Sequence, residues 1–248
     1  MPAFIVGTCL FEKVVMKKNS FTNNLIWGIV SFMSIIAVFA FGMLLIKDAA
    51  DDIGLMEKGY RNLSQVNVYA GIKNGRGIII GTEEDYIDIV TSKHLVSEEN
   101  KVSIEFGNKG KVDGEVVYYY PDNDAAIVRV MREDSDFYIK GAKAPEIMPK
   151  SDYESIPLSK SVYFAKDIYD VSLDVAEGKW LTSKEFVYEL SEDVGLFAGE
   201  VLPGMSGEGL FDENDRLVGM IIAASETEGA VIPAYELRNE YMSFKINQ

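Results

Sequence analysis

From Gln65 onward apolar, β-branched and aromatic residues fall in short β-favouring runs, which glycines and charged turns separate. Such runs predict β-strands. A first set falls at 65–70, 77–81, 86–91, 102–106, 115–120 and 125–130, punctuated by Gly71, Gly75, Gly107, Gly110 and Gly114. With no helix-length segment between these runs, the pattern predicts an antiparallel barrel or sandwich and argues against a βαβ sheet. A polar passage at 132–160, holding Pro145, Pro149 and Pro157, is too long for a hairpin and reads as an interdomain connection. A second set follows at 162–166, 171–176, 186–189, 209–212, 217–223 and 230–232. Ala234, Leu237, Tyr241 and Phe244 then recur every three or four positions, predicting a C-terminal helix over 234–245.

The N-terminal region has a different pattern. Leu25 to Ile46 runs for twenty-two positions without a charge, roughly 33 Å of helix against a hydrocarbon core of ~30 Å. A buried globular helix would carry a polar face over that length. A cleaved signal peptide would have a shorter apolar core and a small-residue cleavage site, where this chain has K-D-A-A-D-D. The expectation is a retained transmembrane helix at 25–46, after a leader at 1–24 and before a polar juxtamembrane spacer at 47–64. Lys13, Lys17 and Lys18 precede the span with only Glu12 against them, whereas Lys47, Asp48, Asp51 and Asp52 follow it. The positive-inside rule then predicts a single-pass membrane protein with a cytoplasmic N-terminus and an extracytoplasmic C-terminal domain.

Charge narrows the partners. The formal net charge is −15, and three lysines minus one glutamate give residues 1–46 +2, which leaves −17 beyond them. That field disfavours nucleic acid and tolerates or attracts basic polypeptides. Cys9 is the only cysteine, so the β-rich region has no disulfide and depends on its own core. The pattern sets no oligomeric state.

Three short stretches carry candidate chemistry. His94, the only histidine, stands in T-S-K-H-L-V just after a strand that ends near Thr91, where a fixed strand holds a short turn toward a cleft. Asp124 opens D-A-A-I-V-R-V. A carboxylate there can accept from one imidazole nitrogen and leave the other free to take a proton, with Asp122 as its competitor. Ser206 lies in P-G-M-S-G-E-G, whose glycines permit a tight turn that points the N–H groups of Gly204 and Ser206 at one site, an oxyanion hole. Taken singly, each stretch also reads as an ordinary loop, turn or glycine-rich hairpin. In the order His, Asp, Ser across two strand sets, they place a general base, its orienting acid and a nucleophile on either side of one cleft.

At this point the chain resembles the trypsin-like serine peptidases, closest to the membrane-anchored HtrA/Deg branch without a PDZ domain. The matching stretches are G-R-G-I-I-I-G at 75–81, T-S-K-H-L-V at 91–96, D-A-A-I-V-R-V at 124–130, P-G-M-S-G-E-G-L at 203–210, L-V-G-M-I-I-A at 217–223 and G-A-V-I-P-A at 229–234. The resemblance implies two six-stranded antiparallel β-barrels with a C-terminal helix. It implies a peptidase domain over 65–248, with a first barrel at about 65–131, the connection at 132–160, and a second barrel and helix at 161–248. It makes His94, Asp124 and Ser206 the catalytic triad, with Gly204 and Ser206 as the oxyanion hole. The implied activity is hydrolysis of peptide bonds in extracytoplasmic proteins by a membrane-tethered endopeptidase, through an acyl-enzyme and with no metal or organic cofactor. The implied setting is a bacterial cell membrane.

The nucleophile loop departs from the family's usual G-N-S-G-G-P or G-D-S-G-G-P. Met205 replaces a polar residue, Glu208 replaces a glycine and Gly209 replaces a proline. An unpaired buried carboxylate is costly, so Glu208 is expected to point to solvent. The candidate substrate pocket consists of Glu200, Val201, Leu202, Ile222, Ala223 and Ala224. Glu200 would suit a basic side chain and the others a small apolar one, which is favoured. The alternative function is a catalytically silent domain of the same fold, a peptide-binding or envelope assembly protein.

Overall fold

The first six strands are β1 (Gln65–Ala70), β2 (Lys73–Thr82), β3 (Tyr86–Thr91), β4 (Lys101–Glu105), β5 (Lys111–Tyr119) and β6 (Ala126–Met131), with a helical turn α1 (Lys93–Val96) after β3. They close into a barrel in the order β1-β2-β3-β6-β5-β4, and β4 pairs back to β1. Beyond them come α2 (Lys150–Glu154), then β7 (Ser161–Ala165), β8 (Val175–Thr182), β9 (Gly195–Ala198), β10 (Gly209–Phe211), β11 (Leu217–Ala224) and β12 (Glu228–Pro233). These close into a second barrel in the order β10-β11-β12-β9-β8-β7, and α3 (Ala234–Ile246) follows. All strand pairings within both barrels are antiparallel. The computed structural model describes residues 64–107, 110–132, 142–165, 175–182, 194–225 and 227–248.

Side-chain alternation along a strand explains how two barrels share one interface. On β2, Ile79 points into the first barrel with Val66, Ile89 and Val128, while its neighbours Ile78 and Ile80 point outward. They join Met220, Ile222 and Ile232 of the second barrel in a core between the two. On β12, Val231 fills the second barrel with Phe164, Trp180 and Phe197, and Ala230 and Ile232 face the interface. The runs apolar on both faces, 77–81 in β2 and 217–223 in β11, are therefore those at the seam.

The connection between barrels is anchored where it is described. Ile147 pairs in parallel with Leu217, the Met148 N–H donates to Leu217 O at 2.9 Å, and the Leu217 N–H donates to Glu146 O at 2.7 Å. Tyr153 of α2 is buried edge-on against Trp180, with ring centroids 5.3 Å apart. In α3, Ala234, Leu237 and Tyr241 enter the inter-barrel core. Tyr120 Oη donates to Leu237 O at 2.7 Å and Arg238 Nη1 to Ile80 O at 2.9 Å, which ties the helix to the first barrel.

One part of the expected fold is corrected. Among the described residues no helix is long and apolar enough to cross a membrane. The longest, α3, has 13 residues, about 20 Å at 1.5 Å per residue, against the ~30 Å a span requires. The predicted span at 25–46, with the leader and positions 47–63 of the spacer, lies outside the described residues. The supported architecture is two barrels and a C-terminal helix. Membrane tethering, single-pass topology and an extracytoplasmic location at a bacterial membrane are not supported, and the function is argued without them.

Two strand expectations also shift. The run at 171–176 overlaps only the start of β8, which continues through Glu177, Gly178, Lys179 and Trp180 to Thr182. The run at 186–189 lies outside the described residues, and the strand observed between β8 and β12 in the barrel is β9 at Gly195–Ala198.

Candidate functional site

His94 sits on α1, a single turn that starts two residues after β3. Leu95 and Val96 are buried on the inner side of that turn, which leaves the His94 imidazole half exposed, at 51%. Asp124 lies just ahead of β6, the strand paired with β3, and its carboxylate grips His94 twice. Oδ1 accepts the His94 backbone N–H at 2.9 Å and Oδ2 lies 2.6 Å from Nδ1. The Asp124 carbonyl also accepts the Lys93 N–H at 3.2 Å. Antiparallel pairing of β3 with β6 thus brings base and carboxylate together, and the bonding carboxylate is Asp124, not Asp122. With Nδ1 engaged, Nε2 is the nitrogen left to the cleft.

Ser206 comes from the second barrel, in the turn between Val201 and β10. Strand β2 joins it to the His94 side. The Arg76 N–H donates to Ser206 O at 2.8 Å. A Cβ on Gly75 would meet Ser206 O at 2.8 Å and Leu95 Cδ2 at 2.6 Å, so only a glycine lets the serine loop and the histidine turn close on the same strand position. Gly207 is equally constrained, with φ +89° and a hypothetical Cβ 2.0 Å from Arg76 O.

The loop's N–H groups divide into two sets. Met205, Gly207 and Glu208 donate to Leu202 O, Ile221 O and Met205 O at 3.2, 2.8 and 2.9 Å. Among the described residues, the N–H groups of Gly204 and Ser206 donate to no partner within the fold, and both residues are partly exposed. A pair of unspent backbone donors beside a serine hydroxyl has the composition of an oxyanion hole.

The two unusual residues of the loop are both buried. Met205, 1% exposed, packs in the second-barrel core with Val201 and Tyr235, and its Sδ accepts the Leu202 N–H at 3.2 Å. It anchors the loop by packing where the family uses a polar residue. Glu208 is fully buried, which corrects the solvent-facing expectation. Its partner is Arg76 of β2, equally buried, with Nε 3.4 Å from Oε2. The Ala165 N–H donates to Oε1 at 3.1 Å. Burial pushes the Glu208 carboxyl above the usual carboxylate range, and Arg76, the Ala165 N–H and Gln65 pull it back. Sequence alone does not single out Arg76 as part of the site. Its signal was a lone charge between two glycines at the head of an isoleucine run, G-R-G-I-I-I-G.

A pocket of about 680 Å³ opens beside Ser206. Of the predicted lining, Glu200, Val201, Leu202, Ala223 and Ala224 border it, with Gly204, Ser206 and Ile221. Ile222 does not, because side chains alternate along β11: Ile222 lies with Met220 in the inter-barrel core, while Ile221 and Ala223 border the pocket. Among the described residues no group of three or more His, Cys, Asp or Glu side chains is placed to hold a metal ion.

Comparison with known proteins identifies the family and the fold. The family model for a trypsin-like peptidase domain matches residues 75–220, more than half of the chain. The chain belongs to the trypsin-like peptidase domain family. Solved structures share the fold of this trypsin-like domain at low identity. The inactive form of a serine-to-alanine mutant of Rv3671c from M. tuberculosis H37Rv is 18% identical, with a TM-score of 0.57 over 76% of this chain and 89% of that one. The HtrA-type protease AlgW with tripeptide is 19% identical, with a TM-score of 0.58 over 75% of this chain and 62% of that one. The MamO protease domain from Magnetospirillum magneticum, apo form, is 19% identical, with a TM-score of 0.54 over 73% and 97%. A comparison with curated proteins finds no match.

Proposed function

We propose that this domain is a serine endopeptidase that cleaves peptide bonds by acyl transfer. The observation that carries the reading is the double grip of Asp124 on His94, beside a serine turn that keeps two backbone N–H groups unspent. In this scheme Ser206 Oγ attacks the peptide carbonyl while His94 Nε2 takes its proton. Protonated His94 passes that proton to the leaving amine, and water repeats the attack on the acyl-enzyme. Asp124 holds the imidazole tautomer and steadies its positive charge. The N–H groups of Gly204 and Ser206 receive the negative charge that develops on the carbonyl oxygen, an effect on the order of 3 kcal/mol of barrier for a well-placed donor.

The pocket beside Ser206 has Val201, Leu202, Ala223 and Ala224 on its walls, which supports an apolar substrate side chain at the cleaved bond. The deciding experiment is covalent labelling of the purified full chain with a fluorophosphonate probe. Wild type is expected to gain one adduct on Ser206, and Ser206→Ala none. A folded wild type that stays unlabelled from neutral to alkaline pH would refute the peptidase reading and leave the cleft as a peptide-binding surface.

A further inference from the structure

Arg76 and Glu208 take no step in the acyl-transfer scheme, yet both are charges buried without measurable exposure. A charge stays inside a protein only when partners compensate it. Here the compensation crosses between barrels. Arg76 Nε faces Glu208 Oε2 at 3.4 Å, and Arg76 Nη1 donates to Asn67 Oδ1. Asn67 Nδ2 donates in turn to Glu105 Oε2 at 3.1 Å, which also accepts from Tyr69 Oη at 2.6 Å. Glu208 is held from the second barrel by the Ala165 N–H on β7.

The backbones of the same two residues bracket Ser206. On one side the Arg76 N–H donates to Ser206 O at 2.8 Å, and the Arg76 carbonyl accepts from Thr91 Oγ1 at 2.5 Å, three residues ahead of His94. On the other side the Glu208 N–H donates to Met205 O at 2.9 Å and its carbonyl accepts the Ile221 N–H at 2.8 Å. One ion pair therefore joins the two residues that fix the nucleophile's main chain.

The geometry points to Arg76 and Glu208 as positioning residues, whose ion pair across the barrel seam sets the Gly204–Gly207 backbone in its reactive form. This rests on the peptidase reading. Neither side chain meets the substrate; both act through the loop that presents Ser206 and its neighbouring N–H groups. A glycine at position 208 would leave Arg76 without this counter-charge, so the Glu208 departure and Arg76 belong together. A pair that served stability alone would change the fraction of folded molecules and leave their turnover untouched.

The test compares Glu208→Gln, Arg76→Met and Arg76→Lys with wild type in the full chain, at a temperature where near-ultraviolet circular dichroism shows each folded. Positioning predicts that fluorophosphonate labelling and kcat fall about 10–100-fold in Glu208→Gln and Arg76→Met, with KM changed by less than about twofold. Arg76→Lys keeps the charge and is expected to recover part of the loss. Labelling of Glu208→Gln within about threefold of wild type, or a loss carried by KM alone, would overturn the inference. If Arg76→Met does not fold, the near-isosteric Glu208→Gln decides. If wild type itself is unlabelled, the peptidase reading fails and amide hydrogen exchange decides the positioning role. Protection at Arg76, Gly207 and Ile221, whose N–H groups hold the loop, would then fall at least about tenfold in Glu208→Gln. Unchanged protection at those three amides would overturn it.

Discussion

Asp124→Asn isolates the orienting carboxylate with little change in shape. The His94 backbone N–H donates to Oδ1 at 2.9 Å, and in the variant the amide oxygen must stay there to accept it. The amide NH2 is then turned toward Nδ1, which the wild-type Oδ2 approaches to 2.6 Å. Nδ1 has to become the acceptor, so the ring proton moves to Nε2, and a protonated Nε2 cannot take the proton of Ser206. The expected loss in kcat is about 10⁴-fold, or about 5.4 kcal/mol at 1.36 kcal/mol per decade. The fold should barely notice, because the backbone bond survives and the site lies at the surface. The assay is the second-order rate of fluorophosphonate labelling, followed by intact-mass spectrometry on variant and wild type, with circular dichroism melts as the folding control. Labelling of Asp124→Asn within tenfold of wild type would refute the argument that the carboxylate fixes the tautomer.

Gly207→Ala should cost on the order of 1–3 kcal/mol in chemical denaturation from its positive φ alone, with the clash against Arg76 O added and labelling of Ser206 lost in parallel; a variant of wild-type stability would contradict the loop geometry. Alkaline stability is set partly by two tyrosines pushed up to about 12, Tyr69 by burial and then its bond to Glu105, Tyr118 by its bond to Glu240 and then burial. Unfolded tyrosine releases its proton near 10 while these hold theirs, so their contribution is complete below pH 10 and is lost as pH rises toward 12. Denaturation midpoints should fall across that window, and less steeply in Tyr69→Phe.

The pattern of short β-favouring runs between glycine-marked turns reached an antiparallel barrel or sandwich for the first strand set, and no further without the family resemblance. It was not enough to say which isoleucine of Ile78, Ile79 and Ile80 faces which core, since both faces of β2 are buried. The second barrel was harder. Strand β8 carries Glu177 and Lys179 on an exposed face, paired with each other and with Ser161, so its run does not look apolar. At the site, His94 just after one strand and Asp124 just before another were legible only when read together with Ser206. The burial of Glu208 was not, because its cost depends on a partner that lies on β2, far upstream in the chain and in the other barrel. Ile222 departs from the predicted lining for a different reason: both faces of β11 are buried and apolar, so the sequence does not say that Ile222 goes with Met220 to the inter-barrel core while Ile221 and Ala223 face the pocket.

The last helix lends the molecule an order in time. Its contacts reach back across most of the domain, from Tyr120 to Leu237, Ile80 to Arg238, Asp88 to Tyr241 and Glu83 to Lys245. A ribosome delivers all twelve strands before it delivers that clasp. While the chain is being made, the first barrel can close on its own short-range pairings, but the seam that carries His94 on one side and Ser206 on the other lacks Ala234, Leu237 and Tyr241. The inter-barrel core between the His94 side and the Ser206 side is therefore finished only after synthesis has passed both barrels.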